Sequence, residues 1–161
     1  MMHRTIISID PGASGAVVIR SSDGPILEVA KFDGWETVHR AIVRATRSPS
    51  GSCGVAALIE RVWASPVMGV SSAFAFGENY GTWIGALRAS AIKVYSVTPQ
   101  TWQKSLRIEA VGPARKAALC AAAKVMFPGE KVTLKTADAL LISEYAHQQN
   151  QNHAVLGELS Q

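Results

Sequence analysis

Three acids stand where a solvated carboxylate has little reason to be. Asp10 closes the apolar run IISID, residues 6–10, and is followed at once by Pro11, Gly12, Ser14 and Gly15. Glu60 closes a second short apolar run, VAALIE, and Asp138 lies in KTADALLISEYAH among Ala and Leu. The interior of a strand covered on both faces does not hold an unpaired carboxylate, because leaving water costs an ion several kcal/mol even after relaxation. The carboxyl ends of such strands are different, since they open onto the crevice where ligands sit. If the strands ending in Asp10 and Glu60 are neighbours, the two carboxylates converge, and their repulsion calls for a cation. Oxygen donors without His or Cys point to magnesium or manganese rather than zinc. Two such ions about 4 Å apart would clamp the attacking and leaving oxygens of a phosphodiester. Each acid taken singly also has a plain structural reading, as a turn former after a strand or a partner for a helix dipole. All three together, each in an apolar context, favour the chemical reading.

The elements that must position them follow from the spacing of apolar residues. Residues 4–10 and 14–20 read as strands joined by a Pro/Gly turn, and residues 26–32 as a third after the breaker Ser-Ser-Asp-Gly-Pro. Trp35, Val38, Ile42 and Val43 recur at helical spacing over residues 35–47. Residues 48–54 form a small-residue loop, and 55–60 a buried strand. Residues 70–89 form a second helix, and Val94 with its neighbours a last strand. An alanine-rich helix runs to Phe127, where Pro128 and Gly129 stop it. Thr136 caps a final helix to about residue 148. The pattern is an α/β fold: a five-stranded mixed sheet, three strands as an antiparallel meander and the rest parallel, flanked by helices. No internal repeat or low-complexity tract interrupts it.

Composition bounds the rest. The 161 residues suit one domain, over residues 1–150, with a Gln/Asn-rich tail over 151–161 that is expected to fray. An apolar share of 48% and a charged share of 17% are those of a soluble globular protein. No apolar stretch reaches membrane-spanning length and no leader segment is evident, so no membrane association is expected. Cys53 and Cys120 have no metal-ligand spacing and suit buried thiols in a reducing compartment, which makes the cytoplasm the expected location. His39, His147 and His153 show no mutual ligand spacing and read as surface or packing residues. The net charge of +4 is compatible with a polyanionic partner. Its distribution says more: Lys104, Arg107, Arg115, Lys116, Lys124, Lys131 and Lys135 face only Glu109 and Glu130 in that stretch. A phosphate backbone would be met there.

The segments SIDPGASGAVVI, ALIERVWASPVMGVSSAFAFGENYGTWIGAL and KTADALLISEYA, in this order, resemble the RuvC-type Holliday junction resolvases. The linking VTPQTWQKSL resembles their phage and organellar relatives, and the match spans residues 4–147. The resemblance implies an RNase H-like fold, a homodimer, and magnesium-dependent paired nicking of a four-way DNA junction. It places the family's metal-binding acids on Asp10, Glu60 and Asp138. Where the family carries a further metal-binding Asp or His, three residues before the last aspartate, this chain has Lys135. A different register supplies the missing group, or the site works with three carboxylates and an amine, or it is impaired; the lysine itself is either an active-site cation or a surface residue. The turn DPGASG also resembles the phosphate loop of actin-like kinases, which need two such domains, more than this length provides.

Two further features take their meaning from that resemblance. Gly77, Gly81 and Gly85 fall four apart and line one side of the 70–89 helix. They permit close approach either to the chain's own sheet or, as the resemblance implies, to a second copy across a two-fold interface. Trp63 follows Glu60 by three residues. It either stacks on an unpaired base at the branch point, the role the resemblance implies, or anchors its loop. Arg61, Lys104, Arg107, Arg115 and Lys116 are the candidates to hold junction arms. Two rivals remain at this stage: a nuclease of the same fold acting on flaps or RNA:DNA hybrids, and a junction-binding protein with impaired catalysis. A partner helicase is not indicated by any residue.

Overall fold

The computed structural model describes residues 5–21, 23–47, 54–63 and 68–151. The predicted tail and most of the 48–54 loop, with Cys53 and His153, lie outside the described residues.

Five strands form one sheet: β1 (Thr5–Asp10), β2 (Ala16–Ser21), β3 (Ile26–Lys31), β4 (Val55–Glu60) and β5 (Lys93–Val97). Their order is β3-β2-β1-β4-β5, with β1, β2 and β3 antiparallel and β1, β4 and β5 parallel. The helices are α1 (Trp35–Thr46), α2 (Val70–Ala89), α3 (Pro99–Ser105), α4 (Arg115–Met126) and α5 (Ala137–Gln151). Every predicted strand and helix is present; β4 and α2 have the predicted bounds, and the others differ by up to three residues. The addition is α3, announced by Thr98, whose hydroxyl accepts from Thr101 N–H, and by Pro99 in the first turn. The predicted cap on the last helix differs in detail. The carbonyl of Thr136 does accept from Leu140 N–H, but its hydroxyl turns back to the amide of Thr133, 2.9 Å away.

Alternation along the strands divides the core into two sides. Ile7, Ile9, Val17, Ile19, Ala57 and Ile59 face α1 and α2, where Val38, Ala41, Ala45, Trp83 and Leu87 meet them. Ile6, Ala56, Leu58, Tyr95 and Val97 face α3, α4 and α5, against Trp102, Leu106, Leu119, Leu141 and Ile142. Cys120 is buried in this second layer. A third group sets Ala16 and Val18 against Phe127, Ala139 and Leu140. Each fully buried Leu or Ile contributes about 1.5–3 kcal/mol relative to exposure.

One polar tie fixes α5 to the sheet. Arg20 of β2 donates to Glu144 at 2.7 Å and lies over the Phe127 ring, 5.8 Å from its centroid.

The glycines of α2 do not pack on the sheet. Asn79, Trp83 and Leu87 form the helix's buried face. Gly77, Gly81 and Gly85 lie opposite, exposed, and a Cβ added at any of them would meet nothing within 4 Å. The close-approach reading against the chain's own sheet is therefore excluded, and the reason is phase: residues 77 and 79 stand about 200° apart on a helix. Beside the glycines, Val70 and Phe74 are 88% and 74% exposed. No described helix is long and apolar enough to cross a membrane.

Candidate active site

The register of β1 on β4 pairs Ile9 with Ile59, so Asp10 and Glu60 end adjacent parallel strands at the same level. Parity sends both side chains to the face covered by α4 and α5. There α5 packs along β1, and its first turn brings Asp138 to the same corner, largely buried.

Electrostatics register the convergence. Burial pushes the Asp10 carboxyl well above its ordinary range, and Glu60 and Asp138 push it further in the same direction. Burial also raises Glu60, opposed by a hydrogen bond from Trp102 and reinforced by Asp138. Asp138 is raised by burial. Arg115 and Lys116, at the start of α4, pull all three back toward ionisation. Arg115 is half-buried and Lys116 exposed. These two cations stand at the end of a helix whose free N–H groups also favour anions.

Two residues that the sequence reading did not single out complete the geometry. Trp102 of α3 is fully buried, and its indole N–H donates to Glu60 Oε1 at 2.8 Å. One carboxylate oxygen is thereby occupied and the other left available. The Thr98-Pro99 signature was the signal that would have placed Trp102 on a helix over β5. Asn79 of α2 accepts from the backbone N–H of Gly12 at 2.9 Å, in the turn that follows Asp10. That turn depends on glycine twice. Gly12 has φ of 134°, closed to ordinary L-residues, and a Cβ on Gly15 would lie 2.0 Å from the carbonyl oxygen of Asp10.

The remaining candidates lie around this corner or away from it. Trp63 is 60% exposed, with the Arg61 guanidinium 5.8 Å from its ring centroid, so it does not anchor its loop from within. Lys104 and Arg107 are exposed on and just after α3. Lys135 is exposed in the turn ahead of α5, its amide donating to the Thr133 hydroxyl.

Among the described residues, no group of three or more His, Cys, Asp or Glu side chains forms a ready cage for a metal ion. What Asp10, Glu60 and Asp138 offer a cation is chemical. They supply oxygen donors only, in a buried corner, with a mutual repulsion that positive charge would relieve. The donor set fits a hard divalent ion.

No family model and no curated protein matches this chain. Solved structures do. RuvC of Thermus thermophilus in complex with a Holliday junction substrate superposes with a TM-score of 0.58 at 18% identity, over 94% of this chain and 98% of that one. A second Thermus thermophilus RuvC structure gives 0.57 at 20% identity, over 92% and 96%. The fold is that of RuvC. In this RuvC fold the three acids occupy the carboxyl ends of β1 and β4 and the first turn of α5, with Arg115, Lys116 and Trp102 around them.

Proposed function

We propose that this chain is a structure-selective endonuclease that resolves four-way DNA junctions by paired nicking, as a homodimer. The observation that carries the reading is the gathering of three carboxyls from three separate elements, Glu60 and Asp138 buried and Asp10 partly so, at one corner of a RuvC fold. Asp10, Glu60 and Asp138 would hold magnesium or manganese, two ions in the full site, supplying an activated water and a charge that offsets the phosphate.

The chain's own groups do the rest. Trp102 holds one oxygen of Glu60, so the carboxylate presents the other in a fixed direction. Arg115 and Lys116 meet the scissile phosphate or its neighbour, their charge favouring both binding and the more negative transition state. Lys104 and Arg107 extend the basic surface toward a junction arm. Trp63 with Arg61 offers a flat, exposed face on which an unpaired base stacks, worth about 1–3 kcal/mol. Lys135 lies three residues before Asp138 and takes the place of a further ligand as a cation near the phosphate. The exposed stripe of Val70, Phe74, Gly77, Gly81 and Gly85 suits a second copy related by a two-fold axis, which would match two opposed cuts.

The test is a cleavage panel. A four-way junction, a flap and an RNA:DNA hybrid are offered at equal concentration in magnesium and in manganese. Paired nicks in opposed strands of the junction are expected. Preference for the flap or hybrid would make this a nuclease of another substrate. Binding without nicking in either metal would make it a junction-binding protein, the reading that Lys135 keeps open.

A further inference from the structure

Asn79 lies outside the acid cluster, on the opposite side of the sheet from α4 and α5, yet its side chain reaches the turn that carries Asp10. The contact spans 67 positions in sequence and is buried. Phe76, one helical turn earlier, closes over the same point, its ring 3.4 Å from where a Gly12 Cβ would stand. The turn is further tied by Gly15 N–H donating to the Gly12 carbonyl at 2.9 Å. Gly12 is thus held from α2, and Gly12 in turn limits where the Asp10 backbone can go.

The choice of residue is informative. Asn79 is 7% exposed, and its Nδ2 has no hydrogen-bond partner among the described residues. An unmet buried donor is unfavourable, so packing alone would favour an apolar side chain here. An apolar side chain, however, would leave the Gly12 N–H unmet. Aspartate would accept from Gly12 with no orphaned donor, but it would set a further carboxylate against the turn that carries Asp10, whose own carboxyl is already pushed up by burial and by Glu60 and Asp138. Asparagine is the neutral acceptor that remains.

We infer that Asn79 is a positioning residue that sets the Asp10 carboxylate for cation binding by fixing the Gly12 N–H. The inference rests on the endonuclease reading above. Its test compares wild type, Asn79→Ala and Asn79→Asp in three measurements: Mn2+ binding to the protein alone by paramagnetic resonance of free Mn2+, junction affinity without divalent metal, and single-turnover cleavage. Loss of one such hydrogen bond, about 1.4 kcal/mol, is about tenfold. Asn79→Ala is expected to bind Mn2+ about tenfold more weakly and to cleave about tenfold more slowly, at unchanged junction affinity. Asn79→Asp keeps the acceptor and the shape while adding a negative charge, and is expected to bind Mn2+ at least as tightly as wild type. That second variant decides the matter if the alanine variant does not fold. Wild-type Mn2+ binding in Asn79→Ala, or a tenfold loss in a folded Asn79→Asp, overturns the inference. A wild-type protein that binds Mn2+ but leaves the junction uncut overturns the endonuclease reading alone, and one that binds no Mn2+ overturns both.

Discussion

Trp102→Phe removes a single N–H from the candidate site and keeps an aromatic ring in its place. In the structure that N–H is the hydrogen bond to Glu60 Oε1, at 2.8 Å. A hydrogen bond to a charged group contributes about 1.5–3 kcal/mol, which is roughly 10- to 150-fold if it is spent on holding the carboxylate for a cation. The same bond is what opposes the upward push of burial on the Glu60 carboxyl. Its removal therefore lifts Glu60 further, so the acidic limb of the pH–rate profile moves to higher pH. A smaller ring also loses packing, and that loss needs its own control. Trp83→Phe supplies it, because Trp83 is equally buried on the α1/α2 side and its Nε1 has no partner among the described residues. Both variants should melt lower than wild type. Only Trp102→Phe should lose Mn2+ affinity and shift the acidic limb. If the two variants show the same limb and the same Mn2+ affinity, Trp102 is packing and the reasoning from its hydrogen bond is wrong.

Asp10→Asn, Glu60→Gln and Asp138→Asn should each slow cleavage by about a thousandfold or more while junction affinity changes little, since on the proposed reading each removes a cation ligand and no phosphate contact. The same variants should melt higher than metal-free wild type, by about 2–4 °C for each 1 kcal/mol of repulsion relieved. The sign with pH follows from the same groups. All three acids are raised in the folded state, so above the ordinary carboxylate range the folded chain binds more protons than the unfolded one. Their contribution to stability therefore grows as pH falls through the raised values toward the ordinary carboxylate range, and is lost as pH climbs back through them. Glu144, lowered chiefly by its bond to Arg20 against a contrary desolvation, has the opposite sign and loses its contribution only in more acid solution. Thermal melts of metal-free protein between pH 5 and 8 should show a higher midpoint at the acid end, and a flat profile would contradict the grouping of the three acids. Trp63→Ala should weaken cleavage and selectivity for the junction while leaving duplex binding near normal; unchanged selectivity would remove the stacking role. Lys135→Asp restores an acid ahead of Asp138 and should retain activity with altered metal dependence, whereas indifference to both this change and Lys135→Ala would make it a surface lysine. Arg107 and Ala91 both take left-handed backbone after a helix end, with φ of 56° and 55°. Arg107→Gly and Ala91→Gly should shift the melt alike, and only Arg107→Gly should reduce the salt dependence of junction binding, by about one phosphate contact.

The sheet and its two helical layers were legible because alternation and length identify strands, 3.6-residue spacing identifies α1, and alanine propensity with a Pro-Gly stop identifies α4. The meeting of Asp10 and Glu60 was legible as a condition: it required β1 and β4 to be neighbours, and they are. Asp138 was legible only in company: alone it reads as a partner for the helix dipole, and its apolar surroundings gained meaning beside Asp10 and Glu60. Trp102 was not, since a buried tryptophan is ordinary in a core and nothing in a sequence says where an indole N–H points. Asn79 was hidden for a related reason. Its contact lies 67 residues away, and reading it required the phase of α2 against a turn on another strand. The outward phase of Gly77, Gly81 and Gly85 was equally out of reach, because spacing gives a stripe but not its direction.

The strand register described above makes the candidate site indifferent to one kind of change and brittle to another. Exchanging apolar residues within β1 or β4 alters packing but leaves both carboxylates on the face of α4 and α5. Inserting a single residue inside β4, ahead of Glu60, turns the acid to the other face, toward Trp83 and Leu87. Inserting two returns it to the original face, one pleat further on. Tolerance to insertions here should therefore follow odd and even counts rather than size, so that the smallest change in length is among the most damaging.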